Sequence, residues 1–155
     1  MAEINSVSIP RDVVLFMRDL ISGTIPDPLS NRQTQSGDAG SNARFVMTSW
    51  PERAVAYPLI TVTHVSATDQ RLGISTTDAL MTNRLQVDVW SKQKSMTDGL
   101  TGSIYYTVRN SALTTAVASG LFTFRLAGMR NLDEIGKGGI HRKSIDVEYD
   151  VIAHS

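Results

Sequence analysis

Apolar residues in the first stretch of the chain recur at helical spacing. Val13, Val14, Met17, Leu20 and Ile21 fall three or four positions apart, with Arg11, Arg18 and Asp19 between them. The segment Ser8-Ile9-Pro10-Arg11-Asp12 suits a helix start, because proline is tolerated in the first turn and an acid there faces the positive end of the dipole. Gly23 offers a stop. The pattern predicts an amphipathic helix with one buried stripe. From residue 24 to residue 44 the pattern dissolves into Pro26, Pro28, Asn31, Gln33, Gln35, Gly37, Asp38, Gly40 and Asn42. This reads as a long polar loop, either a tolerated insertion or a segment that orders on a partner.

Period-two patterns follow. Phe45-Val46-Met47 is a short candidate strand, and Pro58-Leu59-Ile60-Thr61-Val62-Thr63-His64-Val65 is a β-rich run opened by a proline. Leu85, Val87 and Val89 alternate with Gln86, Asp88 and Trp90, which predicts a half-buried strand. Residues 66–83 between these runs are polar apart from Leu80-Met81, and are expected to form a long hairpin connection. A second helix is expected to begin near Ser95, where Ser95 and Asp98 resemble a capping box, with Met96, Leu100, Ile104, Val108 and Ala112 along one stripe. Gly99 and Gly102 each cost a helix about 1 kcal/mol relative to alanine, so the reading is close packing against a sheet, or for Gly99 a frayed first turn.

Two closing strands complete the chain. Phe122, Phe124 and Leu126 alternate with Thr123 and Arg125. Ile145, Val147, Tyr149 and Val151 alternate with Ser144, Asp146, Glu148 and Asp150. Residues 128–143 between them form a glycine-containing arm too long for a tight turn. The expected fold is α+β over residues 1–155 as one domain. It has an antiparallel or mixed sheet of four to five strands, with two main helices packed on one face. The other face stays polar and carries Gln86, Asp88, Thr123, Arg125, Asp146, Glu148 and Asp150.

Composition narrows the function. At 155 residues the chain can remove roughly 70% of its unfolded surface from water, enough for one core. Lysine plus arginine and aspartate plus glutamate number 15 each, so no basic excess points to tight DNA wrapping. Zero net charge instead favours association. The absence of cysteine excludes disulfides, thiolate catalysis and iron–sulfur ligation. Residues 1–8 show no basic region followed by an apolar stretch, and no run approaches the ~20 apolar residues of a membrane span. The expectation is a soluble protein made in the cytoplasm.

No motif carries catalysis. His64, His141 and His154 form no i, i+4 pair, and His64 reads as a packed strand residue. Gly136-Lys137-Gly138-Gly139 lacks the spacing of a phosphate loop and reads as a hairpin tip. Gly99-Leu100-Thr101-Gly102-Ser103 is no nucleophile elbow, and the adjacent acids Asp133-Glu134 need not converge. No cofactor is expected. The one patterned polar feature is the set Asp88, Asp146, Glu148 and Asp150 on one sheet face. It reads as a solvated face, a divalent-cation site, a surface shared between subunits or a DNA channel whose like charges repel phosphate. Arg84 and Arg125 can partner two of these acids in a cross-strand ladder.

The ordered segments resemble a known family. An amphipathic helix and a variable loop precede Tyr57-Pro58-Leu59-Ile60-Thr61-Val62, followed by Arg84-Leu85-Gln86-Val87-Asp88-Val89-Trp90-Ser91, a helix, and a last strand Arg142-Lys143-Ser144-Ile145-Asp146-Val147-Glu148-Tyr149-Asp150-Val151. This arrangement is similar to the tail terminator, or tail completion, family of long-tailed phages, which includes the lambda-like U protein. The resemblance implies a structural virion protein without enzymatic activity, built in the host cytoplasm and placed in the tail or neck. Such proteins assemble as a homo-oligomeric, hexameric ring that caps the tail tube, meets the head–tail connector and lets DNA pass without specific binding. The polar loop and the arm become candidate contacts, and Arg84, Asp88, Arg125, Asp146, Glu148 and Asp150 the candidate channel or subunit face. A head completion or neck connector protein is the alternative of the same kind, and a small metal-dependent enzyme or ligand-binding domain that of another.

Overall fold

The computed structural model describes residues 9–26, 28, 45–48, 57–71, 73, 79–111, 114, 116, 120–132 and 139–153. Helix α1 (Ile9–Thr24) leads to β1 (Val46–Met47), β2 (Leu59–Arg71), β3 (Ala79–Ser91), α2 (Lys94–Ser111), β4 (Phe122–Asn131) and β5 (His141–Ala153). The strands form one sheet in the order β1-β2-β3-β5-β4. Only β1 and β2 run parallel; the other pairs are antiparallel. The fold is therefore α+β with a mixed, mostly antiparallel sheet.

Period-two alternation decides which side chains meet the helices. Ile60, Val62, Leu85, Val87, Val89, Ile145, Val147, Tyr149 and Val151 share one face and cluster with Val13, Phe16, Met17, Leu20 and Ile21 of α1 and with Leu100, Ile104 and Val108 of α2. Three aromatic rings tie the layers together. Phe16 meets Phe124 edge-on, with ring centroids 6.1 Å apart, and Phe124 lies 6.4 Å from Tyr149. Phe16 is fully buried, whereas Val14, which the spacing placed in the stripe, is only half-buried. The helix turns Ile9, Val13, Phe16, Met17 and Leu20 inward at the three- and four-residue steps that a core stripe requires.

Helix α2 begins close to the expected start and corrects two other expectations. It starts at Lys94, with the Thr97 amide donating to the Gln93 carbonyl, and Asp98 accepts from Lys143 Nζ at 3.0 Å instead of closing a capping box. Its glycines do not approach the sheet: Gly99 and Gly102 are exposed, and an added Cβ would meet nothing within 4 Å. The sheet-facing surface mixes Leu100, Ile104 and Val108 with buried Thr97, Thr101, Thr107 and Ser111. Each of these four hydroxyls donates to a carbonyl four residues back, at 2.7–3.2 Å, so none needs a partner in the sheet. Ala112 lies outside the described residues.

The strands outrun the sequence pattern. Residues 66–83 were expected to connect two strands, yet β2 continues to Arg71 and β3 begins at Ala79. Ladder hydrogen bonds are made by the backbone and do not require apolar side chains, so the polar half of this hairpin gave no period-two signal. A bulge at Val65 interrupts the register between His64 and Ser66. His64 is half-buried, its Nε2 3.0 Å from Asn83 Oδ1. The expected arm at 128–143 loses both ends to strands, since β4 runs to Asn131 and β5 starts at His141. Gly139, with φ 68°, turns the chain into β5. The polar loop at 24–44 lies mostly outside the described residues; at its start Thr24 closes α1 and Ile25 is buried. His154, Asp133, Glu134 and residues 136–138 also lie outside them.

Strand β4 holds the remaining correction. Phe122, Phe124 and Leu126 do not form one apolar face. The register slips between Phe122 and Arg125, where Thr123 adopts a positive φ of 52°, and again between Leu126 and Gly128. The first slip sends Phe124 into the core and Phe122 outward.

Two stability outcomes follow. Phe16→Ala removes a fully buried ring that touches β4, and should lower unfolding free energy by about 3–5 kcal/mol in a urea titration. The Tyr149 hydroxyl is buried and finds no hydrogen-bond partner among the described residues, and burial pushes its ionisation above the ordinary phenol range. Tyr149→Phe should therefore leave stability unchanged or raise it by up to about 1 kcal/mol, whereas a hidden partner for the hydroxyl would show as a loss.

Candidate functional site

The face turned away from the helices is laid out in rows by the strand register. Cross-strand partners share a face, so the pairings place Leu59, Trp90 and Arg142 in one row, and Thr61, Asp88, Ser144 and Arg130 in the next. Thr63, Gln86, Asp146 and Gly128 follow, then Ser66, Arg84, Glu148 and Arg125, and finally Thr68, Thr82, Asp150 and Phe122. All six residues singled out from the sequence (Arg84, Asp88, Arg125, Asp146, Glu148 and Asp150) lie on this face. They do not converge on one point.

Three of them form a triad. Arg84 donates from Nε to Glu148 Oε1 at 3.2 Å and also through Nη2, while Arg125 Nη2 donates to Oε2 at 2.8 Å. Each carboxylate oxygen thus has its own guanidinium. Arg125 is further anchored by Nη1 on the Thr123 carbonyl at 2.8 Å, inside the strained turn of β4. Hydrogen bonding from Arg84, aided by the charges of Arg125 and Arg84, holds the Glu148 carboxyl below its ordinary range. The same contact raises Arg84.

The other acids have separate partners. Arg142 Nη2 donates to Asp88 Oδ2 at 3.0 Å, and Gln86 Nε2 reaches both Asp88 oxygens at 3.1 Å. The Arg142 guanidinium also lies 4.5 Å from the Trp90 ring centroid, and Trp90 Nε1 donates to Thr61 Oγ1 at 3.2 Å. Arg130 Nη2 stands 3.7 Å from Asp146, and Thr82 donates to Asp150 at 2.7 Å. Sequence reading missed Arg130, Arg142 and Trp90 as members of this lattice. Arg142 shares the parity of Asp146, Glu148 and Asp150, which could have revealed it; Arg130 sits in a segment read as an arm, where parity carries no information.

The face is therefore not an acidic strip. Four arginines, at 84, 125, 130 and 142, balance the four acids at 88, 146, 148 and 150. The acids are also recessed. Arg84, Arg125 and Arg130 side chains are 44%, 41% and 56% exposed, against 22% for Glu148, 16% for Asp146 and 7% for Asp88. Solvent meets guanidinium first, with carboxylate beneath it. Nor is the face evenly wet: Leu59, Asp88 and Ser144 are buried at one end of it, which departs from the expectation of a sheet covered on one side only. Among the described residues no group of three His, Asp or Glu side chains is placed to hold a metal ion, and no helix is long and apolar enough to cross a membrane.

No protein-family model matches the chain, and no curated protein matches it. Among solved structures it is similar to a chain described as the virion of a native gene transfer agent (GTA) particle, at 14% identity and a TM-score of 0.44, over 70% of this chain and 78% of that one.

The triad makes a pH-dependent contribution of defined sign. Because the folded Glu148 carboxyl lies below its unfolded value, its stabilisation is present above the unfolded value, roughly 4.3, and is lost as pH falls through the folded one. Glu148→Gln should be less stable than the parent by up to about 1 kcal/mol at pH 7, a partly exposed pair being worth no more. That gap should shrink in urea titrations repeated near pH 3.

Proposed function

We propose that this chain is a structural subunit of a phage-like virion, a tail terminator that assembles into a ring at the end of the tail tube. The observation that carries the reading is where the family-like segments lie. Residues 84–91 and 142–151, the two stretches that most resemble the tail terminator family, lie on adjacent strands near the centre of the sheet, with 84–90 paired to 148–142. The first of them leads within three residues into α2. The resemblance therefore covers one physical unit, a strand pair and the helix that follows, rather than scattered fragments.

Other features favour assembly over catalysis. The four acids of the exposed face are each engaged by an arginine, glutamine or threonine side chain of the same face. Net charge is zero, and the face itself is balanced. Set in the wall of a ring, such a lattice would neither grip nor strongly repel phosphate, because each exposed guanidinium has a carboxylate at its back. The partners of this reading are further copies of the chain in a hexameric ring, the tail tube protein, the head–tail connector and DNA in transit, and the chain performs no reaction. A neck or head completion subunit is the second reading, since it shares the ring design and differs in the surface on which it docks. The divalent-metal alternative is disfavoured by the arginine, glutamine and threonine groups that occupy the acids.

The decisive measurement is assembly. Purified chain studied by light scattering and negative-stain microscopy, alone and with tail tubes, should form rings seated on tube ends. A protein that stays monomeric and ignores both tubes and connectors would remove the proposal.

A further inference from the structure

Strand β4 holds a conformation that its residues do not favour. Phe122 pairs with Asp150 and Arg125 with Glu148, so Thr123 and Phe124 together stand opposite the single residue Tyr149. Thr123 takes the first position of this bulge with a φ of 52°. A bulge that needs a left-handed residue normally places glycine there, because a Cβ is crowded by the following carbonyl. Threonine is branched at that carbon, which makes the positive φ costlier still. Among the described residues Thr123 is the one non-glycine residue so placed, and the second bulge of the strand, at Ala127, needs no positive φ.

Better burial does not offset this cost. Phe122 is 40% exposed on the outer face, while its neighbour Leu121 is completely buried in the core. Without the bulge, the pairing of Arg125 with Glu148 would continue as Phe124 with Tyr149, Thr123 with Asp150 and Phe122 with Val151. Phe122, Phe124 and Leu126 would then share the inner face and Thr123 and Arg125 the outer one, which is the alternation the sequence displays. Phe124 already lies beside Tyr149 and keeps its place in either arrangement. Leu121 would turn outward as Phe122 turned inward, so each arrangement buries one of two adjacent apolar residues and exposes the other. The bulged one gains Arg125 Nη1 on the Thr123 carbonyl and the Leu121 amide on the Ala116 carbonyl, both at 2.8 Å. The bulge-free one relaxes Thr123. Terms of opposite sign and comparable size thus meet over one residue step. Gly120, with φ 90°, supplies a pivot at the start of the strand that can absorb the step.

From this balance the geometry points to β4 as a two-register strand. Residues 120–123 exchange between the bulged pairing, with Phe122 on the outer face, and a bulge-free pairing in which Phe122 replaces Leu121 in the core. The exchange slides one short segment by one residue and leaves the Arg84–Glu148–Arg125 triad and the β3–β5 ladder in place. It decides whether an aromatic ring or the Thr123 hydroxyl stands in the row of Thr68, Thr82 and Asp150 at the end of the outer face. A partner that grips the Phe122 ring selects the bulged register by its differential affinity for it. The inference does not rest on the ring reading and is tested separately from it.

Fluorophenylalanine labelling reports the register directly. The chain has four phenylalanines, and the Phe122 signal is identified by its loss in Phe122→Leu. In ¹⁹F NMR of the full chain, Phe122 should give two resonances linked by saturation transfer, one broadened by a soluble paramagnetic agent and one protected from it. Thr123→Gly removes the crowded Cβ and should shift their ratio toward the accessible resonance by about five- to thirty-fold. Leu121→Ala weakens the hold of the bulged register on the core and should shift the ratio the other way. A single accessible Phe122 resonance in the parent, with no saturation-transfer partner, would overturn the proposal. Two resonances whose ratio ignores both Thr123→Gly and Leu121→Ala would overturn it as well, since their exchange would then lie elsewhere in the chain.

Discussion

Thirteen residue pairs join β3 to β5, and from Met81–Val151 to Val89–Lys143 every other pair turns an apolar side chain toward the helices. Leu85 with Val147 and Val87 with Ile145 lie beneath α1 and α2 and are completely buried. Between them, Arg84 with Glu148 and Gln86 with Asp146 look the other way. A slip of one residue would put the arginines and carboxylates into the core and the valines into water, so the register is held by burial from one side and ion pairing from the other. The rest of the molecule is arranged around that pair: β2 and β4 flank it, and the aromatic contact from Phe16 through Phe124 to Tyr149 joins α1 to its far side.

On the outer face, charge is organised in depth as well as in rows. Glu148 is shared by two guanidiniums from opposite neighbouring strands, so one carboxylate staples β3, β5 and β4 together. Exposed ion pairs of this kind contribute little to stability individually. Their value lies in orientation: arginine heads are held in fixed positions above recessed acids, and the surface is patterned without carrying net charge. A protein that must sit beside copies of itself and beside passing DNA needs a surface with that character, and the proposed role as a ring subunit draws on it.

Much of the architecture was legible in the chain. Helical spacing announced α1 and α2, and strict alternation announced the inner halves of β2, β3 and β5, because burial against one layer imposes a period that side-chain chemistry must follow. The candidate face was legible for the same reason, since Arg84, Asp88, Asp146, Glu148 and Asp150 are the out-of-phase partners of buried valine, leucine and isoleucine. Where no layer covers the sheet, the imprint vanishes. The polar continuation of β2 to Arg71 looked like loop, and Arg130 looked like part of an arm, because backbone ladders leave no mark on residue choice when both faces are wet.

The sequence by itself determined the element types, the split into an apolar and a polar face, the lack of thiol chemistry and the zero net charge, since each depends only on composition or on a local period. Tertiary structure alone decided that the acids are neutralised rather than free, that Gly99 and Gly102 face outward, and that Phe122 and Val65 stand exposed at opposite edges of the sheet. These depend on strand order and on bulges at residues 65, 123–124 and 127, which bring together groups distant in the chain, Thr82 and Asp150 being 68 positions apart, and no local period encodes such distances.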